Sequence, residues 1–250
     1  MAPKLSVVII TRDEELDLPG CLESVRGLDA EIVVVDNASS DRTTDIARSA
    51  GARVHDRPFR DYASQKQAAV DLAAGEWVLS IDADERLSPA LREEILSTLR
   101  RPPDGVAGFE IPFEVRFMGR RLRFGGLGGE RHLRLFLRER GRFVGGCLHE
   151  GIEVSGGVGR LSARILHLPY RDLDEYLAKM LVYTSNAASK RLAQGKRFTP
   201  LDHLRPFWEL FQRLVLRLGL LDGTPGIAWA SLSAFHTWVK YLKLKELQRR

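Results

Sequence analysis

The sequence contains little cysteine and no long apolar run, and each absence excludes a class of protein. Only two cysteines, Cys21 and Cys147, occur among 250 residues, and their separation fits neither a disulfide framework nor a zinc motif. We therefore expect a reducing compartment. The longest uncharged run near the C-terminus, 223–239, is shorter than the roughly 20 apolar residues that span a bilayer, so no transmembrane helix is predicted.

Two further signals are missing near the N-terminus. Residues 1–10 lack the apolar core and the cleavage site of a secretory signal, so we interpret 5–10 as a first strand. No G-x-G-x-x-G motif follows this strand, which excludes a dinucleotide-dependent oxidoreductase.

The composition is that of an ordinary globular protein, with 44% hydrophobic and 28% charged residues. The formal net charge of +5 is unevenly distributed. The first hundred residues hold 12 Lys and Arg against 19 Asp and Glu, a net charge of −7, so the remaining residues carry +12. An acidic first part thus precedes a strongly basic second part.

Short β-branched runs alternate with amphipathic stretches over the first hundred residues, a pattern typical of βαβ units around a parallel sheet. Residues 106–168 are interpreted as strands with Gly-rich connections, and the residues after them as helices. The predicted strands of the first part are 5–10, 31–35, 52–55 and 77–81, and the predicted helices are 16–26, 42–49, 62–73, 89–100, 173–192, 207–218 and 226–248.

Polar segments follow three of these strands, at 11–15, 36–41 and 82–85. Ligands of open α/β sheets bind beyond the carboxyl ends of the strands, so we expect these segments to converge on one crevice. The carboxylates of Asp82 and Asp84 suit Mg²⁺ or Mn²⁺, which also binds the oxygens of a diphosphate. Carboxylates that only cap a helix or contact solvent in a turn are the alternative.

Asp36 ends the second strand, where a carboxylate can accept hydrogen bonds from a ribose or a base. Thr11 and Glu14, after the first strand, are candidates for the same pocket, although Glu14 could equally be a solvated helix-start carboxylate. For Asp41 we favour a structural role as the N-cap of the next helix.

Taken together, these motifs resemble the family 2 glycosyltransferases of the GT-A fold. The similarity runs through SVVIITRDEE, IVVVDNASSDRT and YASQKQAAVDLAAGEWVLSIDADE, in the order and spacing of that family. It implies an α/β nucleotide-diphospho-sugar transferase fold, a Rossmann-like mixed sheet flanked by helices, with a C-terminal helical extension. One departure is that DNASSD replaces the usual DGSTD and is one residue longer, so the nucleoside contacts of this loop stay open.

The resemblance also implies roles for individual residues. Those around the nucleotide sugar would be Thr11, Glu14, Asp36, Lys66, Asp82 and Asp84, with Asp82 and Asp84 also binding the metal. A core or solvent role for Lys66 is equally compatible with the sequence.

The second part carries a weaker resemblance. His149-Glu150, together with the tail 219–246, resembles a bacterial subgroup similar to the enzymes that add β-linked glucose to the lipopolysaccharide core. An inverting transfer needs a base for the acceptor hydroxyl, and we assign this role to Glu150, with His149 positioning it or binding the acceptor. A surface or strand-end pair without a catalytic role is the alternative.

Nine arginines lie between residues 116 and 142, around a Gly-rich stretch. Arg131 and Arg134 are candidate ligands for an acceptor or its phosphate, because arginine binds phosphate through two hydrogen bonds. A nucleic acid partner is not expected, because no nucleic-acid module is recognised and few aromatic residues interleave with the arginines. A solvated arginine-rich face is the alternative.

Segments 207–218 and 229–247 combine apolar stripes, tryptophans and basic flanks, which is typical of helices at a membrane interface. Packing on the catalytic domain or on a second copy in a homo-oligomer would give the same pattern. We expect a cytoplasmic protein held peripherally on the inner face of the plasma membrane by contact with anionic lipid.

We therefore expect a metal-dependent, inverting glycosyltransferase that uses a nucleoside-diphosphate sugar, with a UDP-sugar favoured, and a lipid-linked or lipopolysaccharide-core saccharide acceptor. The predicted catalytic domain covers 1–168, with a donor half at 1–100 and an acceptor half at 101–168, and the helical extension covers 169–250. One alternative is a sugar nucleotidylyltransferase, although TRDEE stands where its triphosphate loop is expected. The other is an inactive transferase-like protein that binds membrane or polysaccharide.

Overall fold

The computed structural model describes residues 4–146 and 149–249 and divides into two compact units. The first unit contains the residues up to Phe113 together with Glu130–His167. The second contains Glu114–Gly129 and the residues from Leu168 onward. The segment 114–129 is thus grouped with the C-terminal residues, and the functional boundary at residue 168 stays a prediction.

The chain forms twelve described strands and seven α-helices, which confirms the predicted mixed α/β class. The strands are β1 (Leu5–Thr11), β2 (Glu31–Asp36), β3 (Arg53–Asp56), β4 (Trp77–Ser80), β5 (Glu85–Leu87), β6 (Val106–Phe117), β7 (Arg120–Arg121), β8 (Arg131–Leu137), β9 (Gly141–Gly146), β10 (His149–Val154), β11 (Gly157–Arg160) and β12 (Ile165–His167). The helices are α1 (Leu18–Val25), α2 (Thr43–Ser49), α3 (Tyr62–Leu72), α4 (Pro89–Arg100), α5 (Leu173–Ala193), α6 (Arg205–Phe211) and α7 (Thr224–Leu247).

The main sheet has the strand order β3-β2-β1-β4-β8-β6-β12-β5. Strands β3, β2, β1 and β4 are parallel, whereas β8 joins β4 in antiparallel register and β6 continues from β8 in the same way. Strands β9 and β10 form a separate antiparallel pair. The parallel half places the carboxyl ends of β2, β1 and β4 side by side.

The central strands are apolar because both of their faces are covered. Val7 and Ile9 of β1 pack in one core together with residues of α1 and α4. Val8, which points to the opposite face, packs in a second core with Ala69 and Val70 of α3. This alternation of side chains between two cores fixes the strand register, since a shift of one residue would exchange the two faces.

The second unit is built on helices α5, α6 and α7. Tyr176, Met180, Thr184 and Ala188 form the buried stripe of α5, at the predicted helical spacing. The predicted helix 207–218 begins earlier, in α6, and turns into a π-helical turn over Gln212–Leu216. Across the described parts of the chain, every helix is too short or too polar to cross a membrane.

Helix α5 begins with a reciprocal capping arrangement. The Asp172 side chain accepts a hydrogen bond from the Glu175 amide at 2.8 Å, and Glu175 Oε2 accepts one from the Arg171 amide at 2.9 Å. The Lys179 ammonium lies 2.8 Å from Glu175 Oε1. Burial alone would raise the pKa of Glu175, but the hydrogen bonds from Arg171 and Lys179 lower it to about 2.

We expect Glu175→Gln to lower the free energy of unfolding by about 1 kcal/mol at neutral pH, because it weakens these contacts. A lowered pKa gives stability that is present above the ordinary glutamate value and is lost as the pH falls towards about 2. The difference between the wild type and the variant should therefore shrink on acidification. Urea unfolding at several pH values measures it.

The control is Asp174→Asn, which removes the same charge from the same exposed helix turn. A pH-independent difference for Glu175→Gln, or an equal effect of both variants, would contradict the capping role.

Candidate active site

Asp36 and Thr11 meet where β2 and β1 end. Asp36 is fully buried, and the parallel register places it beside Thr11, whose hydroxyl donates to Asp36 Oδ1 at 2.7 Å. Ser39 donates its amide to Oδ2 at 2.8 Å and its hydroxyl to Oδ1 at 2.6 Å. These three hydrogen bonds hold the carboxylate in one orientation.

The loops after β1 and β2 are joined by their own side chains. The Ser40 amide donates to Asp13 Oδ1 at 2.7 Å, and the Glu14 amide donates to the Thr43 hydroxyl at 2.7 Å. Asp13 and Ala38 both adopt left-handed backbone conformations, with φ of 55° and 50°. The segments predicted to converge after β1 and β2 therefore do meet.

Asp41 has a structural role, as the sequence favoured, but it is not the N-cap of α2. The N-cap is Arg42, and Asp41 lies one position before it. Helix α2 begins at Thr43, and Asp41 Oδ1 accepts a hydrogen bond from the Thr43 amide at 2.9 Å. Its Oδ2 accepts another from the Glu15 amide at 3.1 Å. Asp41 thus stabilises both the helix start and the neighbouring loop.

Asp82 is held by two cations at the end of β4. Lys66 of α3 is buried, with Nζ 2.9 Å from Asp82 Oδ1, and Nη2 of Arg134 on β8 lies 3.1 Å from Oδ2. Burial alone would raise the pKa of Asp82, but these cations hold it far below its usual range. Lys66 is thus buried in an ion pair and not solvated, and its place near a nucleotide stays a prediction.

Glu85 is a second carboxylate in this cluster, and it was not among the residues predicted from the sequence. The side chain is 1% exposed, its Oε1 lies 2.5 Å from Arg134 Nη2, and its Oε2 accepts a hydrogen bond from the Asp82 amide at 2.9 Å. Burial raises the pKa of Glu85 to about 7, although Arg134 opposes the rise. The sequence signal that could have identified Glu85 is its position in the acidic segment 82–85, directly after β4.

Asp84 points away from these cations and faces His167 of β12. Asp84 Oδ2 lies 3.3 Å from His167 Nε2, and the two side chains are 22% and 30% exposed. Burial alone would lower the pKa of His167, but the hydrogen bond and the charge of Asp84 raise it above the ordinary value. The Phe113 ring packs edge-on against His167 and beneath the Arg134 guanidinium.

The pair of Asp84 and His167 fits a divalent cation. Ligands on adjacent sites of one octahedral ion, with bonds of about 2.1 Å, lie roughly 3 Å apart, close to the separation seen here. Imidazole and carboxylate are both ligands of Mn²⁺. Residues 4–146 and 149–249 contain no cluster of three or more His, Cys, Asp or Glu suited to a metal among the described side chains.

Of the remaining predicted residues, only the Arg131 side chain lies in the described part of the chain, and its hydrogen bond lies outside this cluster. Arg131 donates from Nη1 to the Leu161 carbonyl at 2.9 Å. His149 and Glu150 begin β10, with backbones paired to Gly146 and Gly145, and their side chains lie outside the described residues. Their catalytic roles stay predictions.

Residues 6–153 match the family model described as glycosyl transferase family 2. The lipopolysaccharide core biosynthesis glycosyltransferase LpsC of Rhizobium meliloti is 35% identical over an alignment that covers 98% of this chain and 93% of that protein. An uncharacterized glycosyltransferase of Rickettsia typhi is 27% identical, with 98% of this chain and 87% of that protein covered.

Among solved structures, a mannosyltransferase of Pyrobaculum calidifontis in complex with GDP-Man and Mn²⁺ matches with a TM-score of 0.55. The sequences are 16% identical, and the match covers 98% of this chain and 87% of that chain. At this identity the likeness concerns the fold alone, and the predicted GT-A fold is confirmed.

We expect Arg134→Leu to destabilise the protein by about 2–4 kcal/mol, because it leaves the buried Glu85 and the half-buried Asp82 with less positive charge. The double variant Arg134→Leu/Glu85→Gln should recover a large part of this loss, since one of the opposing charges is then gone. Urea unfolding of the wild type, both single variants and the double variant above pH 7 gives the coupling energy. A double variant that is no more stable than Arg134→Leu would contradict the charge-balance interpretation.

Proposed function

The chain belongs to glycosyl transferase family 2, and from this premise we propose that it transfers a sugar with inversion from a nucleoside-diphosphate sugar, a UDP-sugar being favoured. The proposed acceptor is a lipid-linked or lipopolysaccharide-core saccharide. Similarity to a lipopolysaccharide core glycosyltransferase over nearly the whole chain supports this acceptor class.

The observation that carries the proposal is the arrangement at the end of β4. Asp84 and His167 face each other at 3.3 Å beside an Asp82 already bound to Lys66 and Arg134. In the proposed enzyme, Asp84 and His167 hold Mg²⁺ or Mn²⁺, and Asp82 stays a proposed ligand of the same ion and of the ribose and diphosphate. When bound, the ion neutralises charge on the departing diphosphate.

The protein's own cations would assist in the same place. Lys66 and Arg134 bring two positive charges to the end of β4, where a diphosphate would otherwise meet only carboxylates. Such fixed charges stabilise a leaving group without having to reorganise during the reaction. The nucleoside would lie on the neighbouring strand ends, with Thr11, Glu14 and Asp36 around it.

The proposed base is Glu150. It removes the proton from the acceptor hydroxyl while that oxygen forms a bond to the anomeric carbon, and the bond from this carbon to the diphosphate oxygen breaks on the opposite side. His149 positions Glu150 or binds the acceptor, and Arg131 contacts the acceptor's phosphate. A lipid-linked acceptor requires access to a membrane surface, so peripheral contact with anionic lipid through the C-terminal helices belongs to this proposal.

Glu150→Gln should lower kcat by roughly 10²–10⁴-fold, the usual contribution of general-base catalysis, and leave nucleotide-sugar affinity nearly unchanged. Steady-state kinetics with a lipopolysaccharide-core acceptor and calorimetric donor binding measure the two effects. Glu153→Gln is the matched control, because Glu153 is an exposed carboxylate on the same strand. Full activity of Glu150→Gln would remove Glu150 from the mechanism.

Asp84→Asn and His167→Gln should each weaken Mn²⁺-dependent binding of the donor by about tenfold or more, because each removes one ligand of the ion. A panel of sugar nucleotides, titrated with and without Mn²⁺, identifies the donor and measures the loss. Asp104→Asn, at an exposed turn of the first unit, is the control and should bind like the wild type. If no sugar nucleotide binds the wild type in Mn²⁺, the proposed function is wrong.

A further inference from the structure

The second unit exposes an unusual concentration of apolar side chains over residues 201–221, here named the apolar segment. Ten of the 23 large hydrophobic residues exposed in the described parts of the chain fall in it, whereas the whole first unit exposes three. Exposed apolar patches of this kind mark interaction surfaces. Its exposed members are Leu201, Leu204, Phe207, Trp208, Phe211, Val215, Leu216, Leu218, Leu220 and Leu221.

The exposed residues of α6 form one face. Leu204, Phe207, Trp208 and Phe211 follow each other at helical spacing, with Phe207 71% and Trp208 56% exposed. A helix that only packs on a core buries its apolar stripe, but no residue of α6 is buried. The stripe of α6 therefore faces outward.

The backbone at Leu218 adds an independent observation. Leu218 adopts a left-handed conformation with φ of 57°, which glycine or asparagine tolerates far better than leucine. Its side chain is nonetheless 52% exposed, so burial does not offset the strain. Leu218 thus places a large apolar side chain at a backbone position where glycine would be less strained.

The charges of the apolar segment and its flanks are asymmetric. Asp202 accepts hydrogen bonds from Thr199 and Arg205, and Glu209 pairs with Arg213. Asp222 accepts hydrogen bonds from the backbone amides of Arg123 and Phe124. These carboxylates are satisfied internally, whereas the side chains of Lys196, Arg197 and Arg217 are exposed to solvent.

We propose that the apolar segment docks on an anionic lipid bilayer, with Phe207, Trp208 and the exposed leucines in the headgroup and acyl boundary and the flanking cations on the headgroups. Aromatic and aliphatic side chains beside lysine and arginine are the composition of interfacial helices. The hydrogen-bonded helical turns suit this environment, since their backbone polar groups are already paired.

A second copy of the chain fits this surface less well. A two-fold interface over this surface would bring the exposed cations of both copies to one patch whose carboxylates are already paired within each copy. Helix α7, the other candidate from the sequence, has a packing face with Ala230, Tyr241 and Leu244. It also exposes Phe235 and Trp238, but its exposed apolar residues are fewer than those of the apolar segment. The inference rests on the membrane contact of the proposed function and assigns it to residues 201–221.

Flotation of the full chain with vesicles tests the inference without any sugar substrate. We expect binding to vesicles of phosphatidylcholine mixed with phosphatidylglycerol, weaker binding to phosphatidylcholine alone, and a decrease at high salt. Phe207→Ser/Trp208→Ser should reduce binding by roughly tenfold or more, because two exposed aromatic side chains are lost. Val158→Ser, which removes an exposed apolar side chain of the first unit, should leave it unchanged.

Tryptophan fluorescence locates the membrane contact with a variant that retains an aromatic side chain at position 208, so that a folding defect is not the cause of the change. Trp208→Phe should still float with anionic vesicles, but the blue shift of tryptophan emission that accompanies binding should be much smaller than in the wild type. Absence of flotation of the wild type, or equal flotation of Phe207→Ser/Trp208→Ser, overturns the inference. Self-association in the absence of lipid that the double substitution abolishes would assign the surface to a second copy instead.

The two proposals fail separately. Donor binding in Mn²⁺ without vesicle binding would reject the docking surface and leave the transferase function in place. Vesicle binding without donor binding would reject the transferase function and leave the docking surface in place.

Discussion

The meeting of Lys66 and Arg134 at Asp82 is the interaction on which the rest of the site depends. Lys66 comes from helix α3, which covers the parallel strands, and Arg134 comes from β8, the first antiparallel strand. Removing one member of a buried ion network leaves uncompensated charge in a poorly solvated place. The network therefore ties the end of β4 to both halves of the sheet.

This ion network also bears on the negative net charge of the first hundred residues. An excess of carboxylates would repel the diphosphate of a donor if the carboxylates were bare. In the structure, Asp82 and Glu85 are bound to cations, and Asp36 is saturated largely by hydroxyl and amide donors. Asp82 and Glu85 hold the cations Lys66 and Arg134 in place. A negative net charge in the first hundred residues is therefore compatible with binding of an anionic ligand.

Much of the fold could be predicted from the sequence, because hydrophobic periodicity and strand-ending polar residues are local signals. Ligand loops lie at the carboxyl ends of parallel strands, and this rule alone predicts that Thr11 and Asp36 share a pocket. The contact between Asp84 and His167 could not be predicted, since 83 positions separate them and only the antiparallel pairing of β12 with β5 brings them together. The ion pair of Lys66 could not be predicted either. Helix α3 has only a weak apolar stripe, so its sequence gives no indication that this lysine points inward.

The hydrogen bonds around Asp36 limit how the nucleoside proposed to lie beside it could bind. A carboxylate offers about four lone-pair directions, and in the described part of the chain Thr11 and Ser39 occupy three of them, two on Oδ1 and one on Oδ2. One direction, on Oδ2, is left unused by these two residues. A uracil ring presents one N–H between two carbonyl groups, whereas guanine presents two adjacent donors that a carboxylate binds best with both oxygens free. If Asp36 binds the nucleoside as proposed, the number of acceptor directions that the protein leaves unused favours a base with a single N–H donor, such as uracil.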